Sequence, residues 1–348
     1  FPNGIDSYGT DALRFTFYSL AAPGRDINFD IGRIGGFKNF CNKLWNAMHF
    51  IDFQIEKYGF EWDPEANAFI HPLNSWMHEQ IIKASKLIEE HIQNYRFDLA
   101  SITLYELVWS KYCDWYIELN KNLLTEAKKE EQKLLITGLI INLEDIVRLA
   151  HPFMPFITEK IYRMLQEIQK KDQAIFIVNT GMPMLRDSFN KDIGFIDDAI
   201  QIISSIRTIR SELVLDNKAS LSLNIPHDIS AALLKDLNVL KAPMAKMCGV
   251  EKLTQQELDQ STHAINLLMS GVKYQLIFPD NFNFDKLVQT LRDKKIKIEE
   301  QINQIEKKLN NQNFVSRAPQ DVVTNQEQQL IQLKKEKQYL EESINKYS

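Results

Sequence analysis

Apolar residues recur at three- and four-residue steps through most of this chain, a spacing that predicts α-helices. Asp11 to Leu20 has that spacing, and Ala22-Pro23-Gly24 ends it. Gly32, Gly35 and Gly36 read as a second weak point before the next helix. From Phe37 to about Lys170 the helical pattern is continuous. Phe37, Phe40, Cys41, Leu44, Trp45, Met48, Ile51 and Ile55 form one stripe. Met77, Ile81, Ala84, Ile88, Ile92 and Tyr95 form a second, and Ile102, Tyr105, Trp109, Tyr112, Tyr116, Leu119 and Leu123 a third. A helix from about Glu130 to Ala150 is apolar on more than one face, which predicts a central position. Pro152 and Pro155 stop it, and Pro155 can open the next helix, Phe156 to Gln169. Together these elements predict a helical bundle.

The period then changes. After a helix marked by Ile196, Ile200, Ile203, Ile206, Ile209 and Leu213, residues Ala219, Leu221, Leu223 and Ile225 alternate with polar ones, the signature of a strand. His263 to Met269, Ser270-Gly271 and Val272 to Phe278 read as a hairpin, so this stretch is a small α/β unit. In the last segment Phe284, Val288, Leu291, Lys295, Ile298, Ile302, Ile305 and Leu309 step alternately by four and three. Val323, Gln326, Leu330, Leu333, Lys337, Leu340, Ile344 and Tyr347 do the same. These are two heptad seams with three polar interruptions, and Asn311, Asn313 and Pro319 between them allow a reversal. The prediction is an antiparallel coiled-coil hairpin whose arms each reach roughly 35–40 Å. Each run alone would be marginal; pairing buries both seams.

The fold class is therefore mainly α: a helical bundle, then a small α/β subdomain, then the hairpin. A length of 348 residues predicts two or three domains. With 44% hydrophobic and 25% charged residues the chain is no disordered, collagen-like or disulfide-scaffold protein. Its longest apolar stretch, Leu134 to Leu143, is far short of the ~18 residues a membrane span needs. The formal charge of -5 argues against a generally basic nucleic-acid binder but leaves room for local basic patches. The three cysteines Cys41, Cys113 and Cys248 are scattered without a CxxC, which fits a reducing compartment and no metal. The chain begins with Phe1, so a fragment of a longer protein is expected.

No catalytic constellation stands out. The glycines at 32, 35 and 36 lack the Lys-Ser/Thr of a phosphate loop, and His78-Glu79 lacks the second histidine of a zinc helix. Around the first bundle helix Arg25, Arg33, Lys38, Asn39, Asn42, Lys43 and Asn46 lie opposite the apolar stripe, where they could bind phosphates and base edges or simply face water. Trp109, Tyr112, Trp115 and Tyr116 fit a core stripe better than a base-stacking platform, with Trp115 the ring expected to be exposed. Along the hairpin, Lys294, Lys295, Lys297, Lys307, Lys308, Arg317, Lys334, Lys335 and Lys337 mix with Glu299, Glu300, Glu306 and Glu336. They make either a solvated face with i,i+4 pairs or a row of phosphate contacts.

Several strings resemble the valyl-tRNA synthetase family of class I aminoacyl-tRNA ligases. They are Tyr8-Gly-Thr-Asp-Ala-Leu-Arg-Phe15; Ala22-Pro-Gly-Arg-Asp-Ile-Asn-Phe-Asp30, leading into Asn39-Phe-Cys-Asn-Lys-Leu-Trp-Asn-Ala47; Cys113-Asp-Trp-Tyr-Ile-Glu118; and His151-Pro-Phe-Met-Pro-Phe-Ile-Thr-Glu159. Ile206-Arg-Thr-Ile-Arg-Ser-Glu212 and Asn313-Phe-Val-Ser-Arg-Ala-Pro-Gln-Asp-Val-Val323 follow in the family's order. Departures are Gly35-Gly36, where a better helix former is expected, and Phe37, where Tyr is common. The related isoleucine enzyme fits less well, since its bacterial form usually ends in a cysteine-rich zinc module.

The resemblance implies four parts. Residues 1–33 are the tail of a catalytic core and stem junction, and 34–185 an anticodon-binding bundle. Residues 186–280 are a small α/β subdomain, and 281–348 a coiled-coil tRNA-binding arm. It implies a cytoplasmic, monomeric parent that joins valine to tRNA(Val) with ATP and Mg²⁺. The family's His-Ile-Gly-His and Lys-Met-Ser-Lys-Ser motifs do not occur here. The fragment is therefore expected to bind tRNA, hold no metal or cofactor and be inactive alone. Its implied tRNA-binding residues are Arg25, Arg33, Lys38, Asn39, Asn42, Lys43, Asn46 and Trp115 in the bundle, with Lys294, Lys295, Lys307, Lys308, Arg317, Lys334 and Lys335 in the arm. A protein-interaction scaffold is the competing reading. Arg207 and Arg210 could touch RNA backbone or link to the bundle.

Overall fold

In a computed structural model, residues 4, 6–24, 29–171, 175–183, 193–213, 215, 219–226, 237–256, 264–269, 272–279, 282, 284–310 and 320–347 are described. The chain divides into two units, Phe1–Ile200 and Gln201–Ser348.

The first unit is the bundle. Its helices are α1 (Thr10–Leu20), α2 (Ile31–Tyr58), α3 (Pro72–Gln93), α4 (Phe97–Glu106), α5 (Glu118–Glu126), α6 (Lys129–Ala150) and α7 (Pro155–Ile168), followed by α8 (Gly194–Glu212), in which the division between units falls. Helix α2 starts earlier than the glycines suggest, so they do not precede it. Asp30 accepts a hydrogen bond from the Gly32 N–H at 2.8 Å and caps the first turn. Ile34 and Phe40 are fully buried. Burying each stabilises by about 1.5–3 kcal/mol, which outweighs the ~1 kcal/mol cost of a helical glycine. The helix ends at Gly59, whose φ of 58° is left-handed. His71 caps α3 through Nδ1, and Pro72 takes the first helical position.

Helix α6 is central, with Leu135, Leu139, Leu143 and Ile146 all fully buried. Against it packs a polar node. Asn74 donates to the Ala68 and Leu134 carbonyls at 2.9 Å each. It accepts from the Tyr116 hydroxyl at 2.7 Å, and Asn142 donates to that hydroxyl at 3.1 Å. Between α4 and α5 the helix widens into a π-helical segment, Leu107–Ile117. A uniform 3.6-residue stripe did not predict that widening.

The resembling motifs are joints. Asp11 accepts from the Phe156 and Ile157 N–H groups at 3.3 and 2.7 Å and so caps α7. Arg14 donates to the Phe153 and Pro152 carbonyls. His151 meets Thr158 at 2.9 Å. His78 is buried 3.5 Å from Asp145 and packs on Phe69, so it is a core histidine.

The second unit holds a four-stranded sheet, β1 (Leu221–Asn224), β2 (Val250–Thr254), β3 (Ala264–Met269) and β4 (Val272–Ile277), in the order β2-β1-β4-β3. Strands β3 and β4 pair antiparallel with Met269 opposite Val272, the register expected of a two-residue hairpin. Strand β2 runs parallel to β1 and follows α9 (Lys241–Cys248). Neither element was predicted. Strand β2 is five residues long and includes exposed Glu251 and Lys252, so its hydrophobic signal is weak. Arg207 donates to the Met247 carbonyl at 2.9 Å and Arg210 to the Ala219 carbonyl at 2.8 Å. Both arginines thus link α8 to α9 and the start of the sheet.

The unit ends in α10 (Phe284–Leu309) and α11 (Gln320–Tyr347), at ~1.5 Å per residue about 39 and 42 Å long. Leu291, Ile298, Ile302, Ile305 and Leu340 are buried between them. The seam lysines are tied across the pair: Lys295 to Glu341 at 2.9 Å and Lys337 to Glu299 at 2.8 Å, with Lys334 to Glu306 at 2.7 Å. Rising numbers on one helix meet falling numbers on the other, so the pair is antiparallel.

This cross-link has a pH signature. The hydrogen bond from Lys337 holds Glu299 below its ordinary 4.5, and the bond to Glu299 raises Lys337 above its ordinary 10.5. The Glu299 contribution is complete above 4.5 and is lost as pH falls through its depressed value. The Lys337 contribution is complete below 10.5 and is lost as pH rises through its raised value. The difference in melting temperature between the unmodified chain and Lys337→Gln should be flat between those limits and shrink outside them. A difference that stays constant however far the pH falls below 4.5 would contradict the assignment.

Candidate nucleic-acid interface

Helix α2 turns one face to solvent. Lys38, Asn39, Asn42, Asn46, His49 and Phe53 are exposed along it, and Phe53 keeps 57% of its surface open. The three asparagine side chains make no hydrogen bond among the described residues. Each amide therefore offers two donors and an acceptor outward. Lys38 lies 5.9 Å from the Tyr8 ring centroid. Beside this row a cleft of about 380 Å³ is lined by Tyr8, Lys38, Asn42, Trp45, Phe156 and Lys160. Trp45 is only half-buried and meets His49 edge-on at 4.9 Å. Trp45, His49, Phe53, Phe156 and Lys160 were not among the predicted residues. For those on α2 the signal was position, since 42, 45, 46, 49 and 53 share one helix face; Phe156 and Lys160 lie on α7 and gave no such signal.

Two other predicted residues leave this row. Lys43 points to the π-helical segment, 2.7 Å from Asp114 and 4.5 Å from the Trp109 ring centroid. Trp109 stacks on Tyr105 at 5.4 Å and 14°. An exposed ion pair of this kind contributes about 0–1 kcal/mol. Lys43 can thus exchange the Asp114 carboxylate for a phosphate at little cost. Arg33 is exposed but does not lie opposite the apolar stripe. It shares a side with Phe37 and Phe40 and lines a second cleft of about 500 Å³ with Phe15, Gly36, Tyr105 and Glu106. Trp115 is half-buried in the π-helical segment. Tyr112 and Tyr116 are core. Arg25 lies outside the described residues.

On the hairpin, Lys307 and Lys308 are exposed and unpaired among the described residues. Lys295 and Lys334 are held in the interhelical ion pairs. Lys294 is half-buried. Arg317 and the side chain of Lys335 lie outside what is described.

Among the described residues no cluster of three or more His, Cys, Asp or Glu is placed to hold a metal ion, and no helix is long and apolar enough to cross a membrane. The cysteines are free. Burial pushes Cys41 and Cys113 up to about 12 and Cys248 up to about 11. Their thiols stay protonated at neutral pH. Iodoacetamide should label the native chain slowly and all three thiols rapidly in guanidinium. Rapid labelling of native Cys113 or Cys248 would contradict this packing.

Residues 74–225 match the anticodon-binding domain of tRNA ligases. Residues 283–347 match the valyl tRNA synthetase tRNA binding arm. A valine–tRNA ligase of Coxiella burnetii is 34% identical over 356 residues, covering 100% of this chain and 38% of that protein. The chain belongs to the valyl-tRNA synthetase family. Valine–tRNA ligases of Psychrobacter arcticus (34% identical, 96% of this chain, 35% of that protein) and Francisella tularensis (31%, 95% and 36%) are similar to it over the same extent. The chain spans little more than a third of the length of these relatives. Helices α4 to α7, and α3 from its third residue, fall within the anticodon-binding match, and α10 and α11 within the arm match. The amide row on α2 precedes the first match, on a helix that packs against α6 and α7 within it.

Proposed function

We propose that this chain is the tRNA-positioning part of a valine–tRNA ligase. The row of amides at Asn39, Asn42 and Asn46, unbonded among the described residues and beside Lys38 and an aromatic-lined cleft, carries this reading to particular residues. Bases of an anticodon loop are unstacked and expose their edges to side chains that donate and accept. The amides would read those edges. Trp45 or Trp109 would stack a base, and Lys38 and Lys43 would neutralise phosphates. The helical hairpin would lie along the outer corner of the folded tRNA and contact phosphates and 2′-hydroxyls.

The whole enzyme would join valine to tRNA(Val) in the cytoplasm. ATP and Mg²⁺ would be handled by parts of it other than these residues. On that reading an ATP–pyrophosphate exchange assay of this chain is blank, and measurable valine-dependent exchange overturns it. Nuclease footprinting of valine tRNA should show protection in the anticodon loop and at the outer corner. Protection confined to the acceptor stem would contradict the proposal.

The scaffold reading expects the heptad seams to pair between chains. Here Leu291, Ile298, Ile302 and Leu340 are buried within a single chain. That favours a monomer, which light scattering at micromolar concentration tests.

A further inference from the structure

The two long flanks of the helical hairpin differ in chemistry. The ion pairs Lys295–Glu341, Lys337–Glu299 and Lys334–Glu306 lean to one flank. At 100° per residue, Thr290, Lys294, Lys297, Gln301, Gln304 and Lys308 of α10 line the opposite flank, three or four residues apart. Lys297, Gln301, Gln304 and Lys308 are exposed, and none has a partner among the described residues. Every carboxylate of α10 falls elsewhere: Glu299 and Glu306 on the ion-pair side with Asp285, and Asp293 and Glu300 on the back. On α11 the positions of Asn325 and Gln329, both exposed, continue the same flank, and so does that of Glu336. So α10, whose charges look mixed in sequence, carries ammonium, amide and hydroxyl groups on this flank and no carboxylate.

We infer that this flank, from Lys294 to Lys308, is the side of the hairpin that meets RNA, tracking a phosphate–ribose backbone. The inference rests on the proposed function and adds to it which face is used. The ammonium groups of Lys297 and Lys308 suit phosphate oxygens, and the amides of Gln301 and Gln304 suit 2′-hydroxyls. The row is about 21 Å long and carries no carboxylate of its own helix to repel the polyanion. It also divides the basic residues by role. Lys295, Lys334 and Lys337 hold the two helices in register, and Lys297 and Lys308 are left to bind.

The test compares two pairs of neutralising substitutions of equal charge in the full chain, with binding of a valine tRNA transcript measured across a salt series. Lys297→Gln with Lys308→Gln alters the proposed flank. Arg292→Gln with Lys252→Gln removes exposed charges, unpaired among the described residues, that lie off it, the second on the sheet. The flank pair should weaken binding about ten-fold and reduce the salt slope by about 2, with the other pair within about two-fold of the unmodified chain. An equal or larger effect of the Arg292 and Lys252 pair overturns the choice of flank. If neither pair matters while substitutions on α2 still weaken binding, the hairpin is not an RNA contact and the inference fails alone. If α2 substitutions are silent too, the proposed function fails with it. Displacement of the RNA by polyglutamate at equal charge concentration would assign the flank to an acidic protein partner instead.

Discussion

Gly138→Ala should lower the melting temperature of the bundle by roughly 6–12 °C, a loss of about 2–4 kcal/mol. A methyl group at this position, in the middle of α6, would overlap the side-chain amide of Asn74. That amide cannot give way cheaply. It is fully buried and bonded to the carbonyls of Ala68 and Leu134 and to the hydroxyl of Tyr116. Moving it leaves buried polar groups unsatisfied, at about 1–3 kcal/mol each. Gly36→Ala is the matched control, since a methyl there meets nothing within 4 Å and would favour the helix by up to ~1 kcal/mol. Thermal melts followed by circular dichroism decide it. Equal melting temperatures for Gly138→Ala and the unmodified chain would show that α3 and α6 do not pack this closely.

The second large effect is on binding. Replacing Asn39, Asn42 and Asn46 together by Ala should weaken valine tRNA binding about 100-fold, from three amide contacts at roughly 1 kcal/mol each. It should also abolish any preference for the intact anticodon. All three side chains are exposed and unbonded among the described residues, so the melting temperature should hold. Equal loss of affinity for every tRNA, with the preference retained, would move base reading to another surface. The cleft lined by Arg33, Phe37 and Tyr105 would then be the next place to substitute.

Much of the architecture was legible because helices and strands bury residues at different periods. The core stripe through Leu44, Met48 and Ile51, the strand at Leu221 and Leu223 and the seam positions Leu291, Ile298, Ile302 and Leu340 are buried where the spacing placed them. What was missed lay where local signals conflict with tertiary context. Three glycines look like a break, yet the Asp30 cap and the burial of Ile34 hold them in α2. The π-helical turn leaves no mark in a stripe that is apolar on adjoining faces. Strand β2 depends on pairing with β1, and five residues with two exposed charges do not announce it.

The site was legible only in part. Lys38, Asn39, Asn42 and Asn46 share a face because they are spaced for it. Arg33 and Lys43 are near them in sequence but turned away, by helix rotation and by the pull of Asp114. Lys295 and Lys337 interrupt an apolar seam, and that placement foreshadows their use. They pair with Glu341 and Glu299 across the hairpin.

The central claim is that these residues themselves recognise a tRNA. The most direct measurement is binding of the chain, across a salt series, to valine tRNA, to valine tRNA with a changed anticodon, and to isoleucine tRNA. The account predicts tightest binding to intact valine tRNA, with a preference over the changed anticodon that survives rising salt, because amide contacts to bases are not screened as phosphate contacts are. Equal affinities for all three, falling together as salt rises, would contradict it and leave the chain a clamp on phosphates.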